Sequence, residues 1–229
     1  LEPFEAAGRG DSAMGWEQIV LGPGCGDNAG AALGVGLDTG QALLSLGTSG
    51  VVSAISSHSV SDPSGLVTGF SDATGRWLPL ACTLNASRII DAMACILGVD
   101  YPEFSRLALS VPDAGGLVLT PYFEGERTPN LPDASASLTG MRLANSDPAH
   151  VARAGVEGML RLMQGALNAV RAGGVVVDRV LLVGGGAQLG AVQQLASTIL
   201  GVDVEIPRPG EYVALGAAKQ AAQVLTNAC

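Results

Sequence analysis

The chain has 229 residues, 48% hydrophobic and only 14% charged, which is ample for one or two buried cores and too few charges for a long coiled coil or a disordered chain. Its 21 acidic and 12 basic side chains give a net charge of −9, which argues against nucleic-acid and anionic-membrane partners. Lys219 is the only lysine, so a Walker-type phosphate loop is absent, and a phosphate site must rest on backbone amides, hydroxyls or a metal.

Residues 1–18 show no sustained period and are expected to form a surface lead-in or a remnant of a larger fold; a domain is expected over 19–229. The first residue is not methionine, so the sequence is expected to begin inside a longer protein. There is no signal-peptide pattern and no apolar run near the ~18 residues of a membrane span. The four cysteines (Cys25, Cys82, Cys95 and Cys229) lack CxxC spacing, which points to thiols in a reducing cytoplasm.

In chain order, a glycine turn leads into an alanine-rich helix from Asn28 to about Val35. ALLSLGTSGVVSAIS (42–56) reads as two strands punctuated by Gly47 and Gly50. GLVTGF and the stretch around Arg76–Leu78 predict two more strands, with a turn over Ser71–Gly75. Ile89, Met93, Ile96 and Leu97 share one face of a helix over Asn85–Leu97, stopped by Gly98. GGLVLTPYF (115–123) predicts a buried strand, followed by a long loop over 124–140.

The clearest helix runs from Pro148 to about Ala172, capped by Asp147. Val156, Met159, Leu160, Met163, Leu167 and Val170 make its apolar stripe, and Gly158 and Gly165 leave room for a second helix to approach. A strand then enters the triple glycine Gly184–Gly186, followed by a helix over 189–200, a strand over 202–206 and a last helix over 212–225. Helices alternating with short apolar strands make the fold class α/β.

Asp27, among small residues at a helix start, reads either as a cap or as a carboxylate that orients a hydroxyl and accepts its proton during attack on phosphorus. Gly47, Thr48 and Ser49 form either a simple hairpin turn or a cradle of amides and hydroxyls for phosphate oxygens. Gly184–Gly186 is either a tight strand-to-helix turn or bare backbone against a nucleotide. Leu215-Gly216-Ala217 suits close helix packing or contact with a base. Arg127 is expected to pair with Glu126 or Asp133, Trp16 and Trp77 to pack, and Met159 and Met163 to be core. His58 and His150 form no metal-ligand pattern, and Ser49 with His58 lacks a GxSxG elbow.

Seven segments, in order over about residues 20–226, resemble the C-terminal half of a sugar kinase of the xylulose kinase, or wider carbohydrate kinase, family. They are GCGDNAGAALGVG (24–36), SLGTSGVV (45–52), PYFEGERTP (121–129), the helix beginning near Ala149, LLVGGGA (181–187), LGVDVEIP (200–207) and ALGAAKQAA (214–222). The resemblance implies a ribonuclease-H-like, actin-like ATPase fold, a mixed sheet flanked by helices, that closes over ATP, Mg²⁺ and a sugar. It makes Asp27 the general base, with Asn28 beside it on the sugar side. It places Gly47, Thr48, Gly185, Gly186, Ala187 and Leu215 against the nucleotide and assigns no side chain as a metal ligand. An N-terminal kinase domain, outside this sequence, is the implied partner, and a homodimer is left open.

In that family D-xylulose is phosphorylated on its C5 hydroxyl. Kinases for ribulose, gluconate or glycerol, or a non-catalytic nucleotide-binding domain, are the alternatives. Departures from the family pattern fall at Asn130, at DASASLTG (133–140), and at Leu189, Val192 and Gln193, where adenosine contacts are expected to differ.

Overall fold

A computed structural model of the chain describes residues 2–227; Cys229 lies outside them. Its elements in order are β1 (Gly8–Arg9), β2 (Val20–Leu21), α1 (Asp27–Val35), β3 (Gly40–Leu46), β4 (Gly50–Ala54), β5 (Val67–Thr68), β6 (Leu80–Thr83), α2 (Ser87–Leu97) and α3 (Tyr101–Leu109). There follow β7 (Val118–Thr120), β8 (Ser137–Thr139), α4 (Pro148–Ala172), β9 (Val177–Val183), α5 (Gly190–Leu200), β10 (Asp203–Glu205) and α6 (Tyr212–Asn227).

A six-stranded sheet in the order β10-β9-β3-β4-β6-β5 organises the domain. β10, β9 and β3 run parallel, and β4, β6 and β5 continue it antiparallel. Alternation along each strand feeds two cores. Ala42, Leu44, Leu46, Val180 and Leu182 face α2–α5, whereas Leu43 and Leu181 face α1. β9 is apolar from Val180 to Val183, where helices cover both faces of the sheet, while Asp178 and Arg179 near its start are exposed. This is the mixed sheet flanked by helices of the ribonuclease-H-like, actin-like architecture.

α4 is the central helix of the larger core. The Asp147 carboxylate accepts from the amides of Ala149 (2.9 Å) and His150 (3.1 Å), and Pro148 takes the first helical position, where no amide partner is needed. Met159, Leu160, Met163 and Leu167 are completely buried, each adding about 1.5–3 kcal/mol of apolar burial. On the other face α6 packs on α1. A Cβ at Gly216 would fall on the Gly30 carbonyl, and one at Gly34 on that of Tyr212. Only glycine lets these two backbones meet.

Several expectations are revised. Residues 101–109 form α3, capped by Asp100 on the Glu103 amide at 2.9 Å, a helix the sequence reading passes over. The strand expected across 115–123 is only β7, whose Val118 is 55% exposed, because it pairs outside the main sheet with β8 from the supposed loop. Gly158 admits the Leu119 backbone of β7 rather than a helix, and Gly165 has nothing close. The close helix approach is at Gly155, against Phe104 and Met93. Trp16 and Trp77 are 51% and 40% exposed, so neither is a core residue. Beyond these revisions, β1 and β2 pair antiparallel as a separate two-stranded ribbon, Gly8 opposite Leu21.

Candidate functional site

Two sharp turns leave the same end of the sheet because β3 and β9 are parallel neighbours with Ser45 opposite Val183. One is Gly47–Ser49, between β3 and β4. The other starts at Gly184, whose φ of 94° is a glycine conformation, and continues as a 3₁₀ turn over Gly185–Gln188 into α5. Gly186 sits against Leu46, and a Cβ there would come within 2.9 Å of the Leu46 side chain. Around a Cβ built on Gly185 there is no atom within 4 Å.

Between the turns lies a cavity of about 710 Å³. Gly47, Thr48, Gly185 and Gly186 edge it, and Ile90, Pro102 and Leu189 give it apolar walls. α2 closes one side. Its Ser87 donates to the Gly47 carbonyl through both backbone amide (3.0 Å) and hydroxyl (2.7 Å), so helix and turn are locked together. No side chain caps the first turn of α2; its Ser87 amide is taken by Gly47 and its Ile89 amide by Ala86, which leaves the Arg88 amide and the helix dipole toward an anion. The Thr48 hydroxyl is exposed and has no protein partner among the described residues. A smaller cavity of about 230 Å³ shares Gly185 and Gln188 and is bounded by Pro207, Pro209 and Tyr212.

Asp27 stands on the other face of the sheet, as the first residue of α1 behind a Gly26 cap. It is exposed, and its Oδ1 accepts from the Asn28 amide (2.8 Å) and side-chain Nδ2 (3.2 Å). Asn28 thus steers its neighbour, and Oδ2 is left open. Asp27 does not line the large cavity. Its position along the sheet is marked by Cys82, which pairs with Val51 one residue from the Gly47–Ser49 turn's exit. Burial pushes the Cys82 thiol up, Arg127 pulls it down, and Asp27 adds to the rise. Asp27 and Arg127 therefore both act at the turn end of the strands.

The remaining candidates separate. Ala187 is fully buried in the main core and Leu215 is 46% exposed on α6, so neither lines the cavity. Of the three departures, Leu189 alone faces the cavity; Val192 is core, and the Gln193 side chain donates to the Ala187 carbonyl at 3.0 Å. Arg127 forms no ion pair with Glu126 or Asp133 among the described residues. Glu126 is buried and instead accepts from the Leu84 amide (2.7 Å), the Asn85 side chain (2.9 Å) and the Arg127 amide (2.7 Å). Asp91 and Tyr101 also line the cavity, unforeseen from sequence. Asp91 was findable, standing one helical turn beyond Ser87.

Residues 42–224 match the FGGY family of carbohydrate kinases, C-terminal domain. The xylulose kinase of Streptomyces rubiginosus is 43% identical over 211 residues, covering 89% of this chain and 41% of that protein. That of Streptomyces coelicolor is 43% identical over 231 residues, covering 99% and 46%. The crystal structure of xylulose kinase from Bifidobacterium adolescentis superposes with a TM-score of 0.90 at 49% identity, over 99% of this chain and 46% of that one. The chain spans less than half the length of these relatives. With its sheet, its paired turns and this match over most of its length, the chain belongs to the FGGY family of carbohydrate kinases, corresponding to the family's C-terminal domain.

Proposed function

We propose that residues 19–229 are the nucleotide-binding half of a cytoplasmic enzyme that transfers the γ-phosphoryl group of ATP to the C5 hydroxyl of D-xylulose. One observation carries this reading: a cavity edged by two small-residue turns opens at one end of the sheet, and the open carboxylate Asp27 acts on Cys82, beside the exit of the Gly47–Ser49 turn. The free thiols Cys25, Cys82 and Cys95 accord with a reducing compartment. Among the described helices none is long and apolar enough to cross a membrane.

The nucleoside lies between the Ile90 and Leu189 walls, and its phosphates reach the Gly47–Thr48 turn and the bare Gly185–Gly186 backbone. The unpartnered Thr48 hydroxyl, with the Arg88 amide and dipole at the start of α2, holds phosphate oxygens without a lysine. Mg²⁺ would be carried on the nucleotide phosphates. Bound there, Mg²⁺ offsets phosphate charge during transfer. Asp27 Oδ2 accepts the proton of the sugar hydroxyl as that oxygen attacks phosphorus, while Asn28 holds Oδ1 fixed. An N-terminal domain supplies the rest of the sugar pocket, on the side where Asp27 is open.

The test is ADP release by the full-length protein with D-xylulose, D-ribulose, D-gluconate and glycerol. D-xylulose is expected to give the highest kcat/KM. Preference for another acceptor removes the sugar assignment, and ADP release with none of them removes the kinase reading.

A further inference from the structure

The cavity holds one feature that a phosphate site does not call for. Asp91, on α2, lines it, and the Tyr101 hydroxyl donates to Asp91 Oδ1 at 2.9 Å. Tyr101 is the first residue of α3, and Asp100 fixes that end of the helix through the Glu103 amide. The pair is therefore held from two helices. Asp91 also holds the Tyr101 phenol above its ordinary range, so the donor proton stays in place at neutral pH.

A carboxylate accepts hydrogen bonds and repels phosphate, so its place in the cavity fixes what it faces. Ser87, bonded to the Gly47 carbonyl, marks the turn end of α2. Asp91 is four residues further, on the same side of the helix and about 6 Å along its axis. That displacement separates it from the phosphates by about one sugar ring. Oδ2 has no protein partner among the described residues, and the phenolic oxygen keeps lone pairs free beside it. Two adjacent acceptors match a vicinal diol, which brings two donors on neighbouring carbons.

Resting on the nucleotide reading of this cavity, we propose that Asp91, held by Tyr101, accepts the ribose hydroxyls and selects ribonucleotides over 2′-deoxyribonucleotides. Neither residue enters phosphoryl transfer; their effect is on which nucleotide binds. The carboxylate gives the charge-assisted bond, and the tyrosine fixes its direction.

The experiment is calorimetric titration of the full-length protein with ADP, 2′-deoxy-ADP and inosine diphosphate, for wild type, Asp91→Asn and Tyr101→Phe. The wild type is expected to bind ADP about tenfold more tightly than 2′-deoxy-ADP, the size of one hydrogen bond to a charged group. Inosine diphosphate, which lacks the base amine, is expected within about twofold of ADP, and both variants to bring the ribose preference down to about twofold or less. Both substitutions are at exposed positions, and matching thermal unfolding midpoints verify that the variants fold. ADP binding without ribose discrimination, a preference unchanged in Asp91→Asn, or a penalty on inosine diphosphate in place of 2′-deoxy-ADP each overturns the proposal while leaving the nucleotide site intact. Failure of the wild type to bind ADP removes both.

Discussion

The two faces of the central sheet are built to different standards of closure. On the side of α2, α3 and α5 the chain encloses a cavity of about 710 Å³ with apolar walls and a floor of turn backbone. On the side of α1 it offers one exposed carboxylate at a helix start and no enclosing wall. On the proposed reading, the first face takes the nucleotide and the second takes the acceptor. The Gly47–Ser49 turn joins them, since β3 and β4 carry residues to both faces and the turn is where they meet.

The largest expected effect separates the two faces outright. In the full-length protein Asp27→Asn is expected to lower kcat by about 10²–10⁴, the range for loss of a general base, with ADP affinity within about twofold of wild type. A kcat within about threefold of wild type would show that Asp27 is not the base. The opposite pattern is expected from the cavity side. Gly185→Ala places a methyl into the open space beside the turn without backbone strain, because Gly185 is not left-handed. It is expected to weaken nucleotide binding about tenfold while kcat at saturating nucleotide is retained. An unchanged Kd would mean that the nucleotide does not lie against Gly185.

Packing on the α1 side makes a smaller mark. Gly216→Ala drives a methyl into the Gly30 carbonyl and is expected to destabilise the protein by about 1–3 kcal/mol, read as a lower urea midpoint. No change in midpoint would mean that α6 packs elsewhere on α1.

The smallest effect is a pH dependence. Burial pushes Asp72 up, but hydrogen bonds from Thr74 and Arg76 outweigh it and hold the carboxyl below its ordinary range. A lowered folded-state value gives stability that is present above the ordinary carboxylate range and lost as pH falls through the lowered one. The stability gap between wild type and Asp72→Asn is therefore expected to narrow between pH 7 and about pH 3, by urea titration. A gap constant over that range would contradict it.

Legibility in the sequence follows how local each signal is. The β3–β4 hairpin and α4 are readable because their instructions lie within the segment: Gly47 and Gly50 punctuate the hairpin, while Asp147, Pro148 and a repeating stripe define the helix. α3 is hidden because it is short, too few turns for its apolar residues to show a sustained period; its strongest sign is Asp100 followed by Glu103 three positions on, with Pro102 in the first turn. Gly216 is legible as a small residue but not as a contact, since the Gly30 backbone it meets is nearly two hundred residues away. Ala187 and Leu215 lie off the cavity for reasons their neighbours in sequence do not show: the turn after β9 points Ala187 into the core, and α6 leaves Leu215 exposed. Asp91 and Tyr101 come together because the short turn after α2 brings the first residue of α3 beside it.

The most direct measurement is a crystal structure of the full-length protein with a non-hydrolysable ATP analogue and D-xylulose. The nucleoside is expected between Ile90 and Leu189, the terminal phosphate at Gly47–Thr48, and the C5 hydroxyl within about 3 Å of Asp27 Oδ2. A nucleotide bound away from that cavity, or a C5 hydroxyl held by some other group with Asp27 facing solvent, would contradict the account.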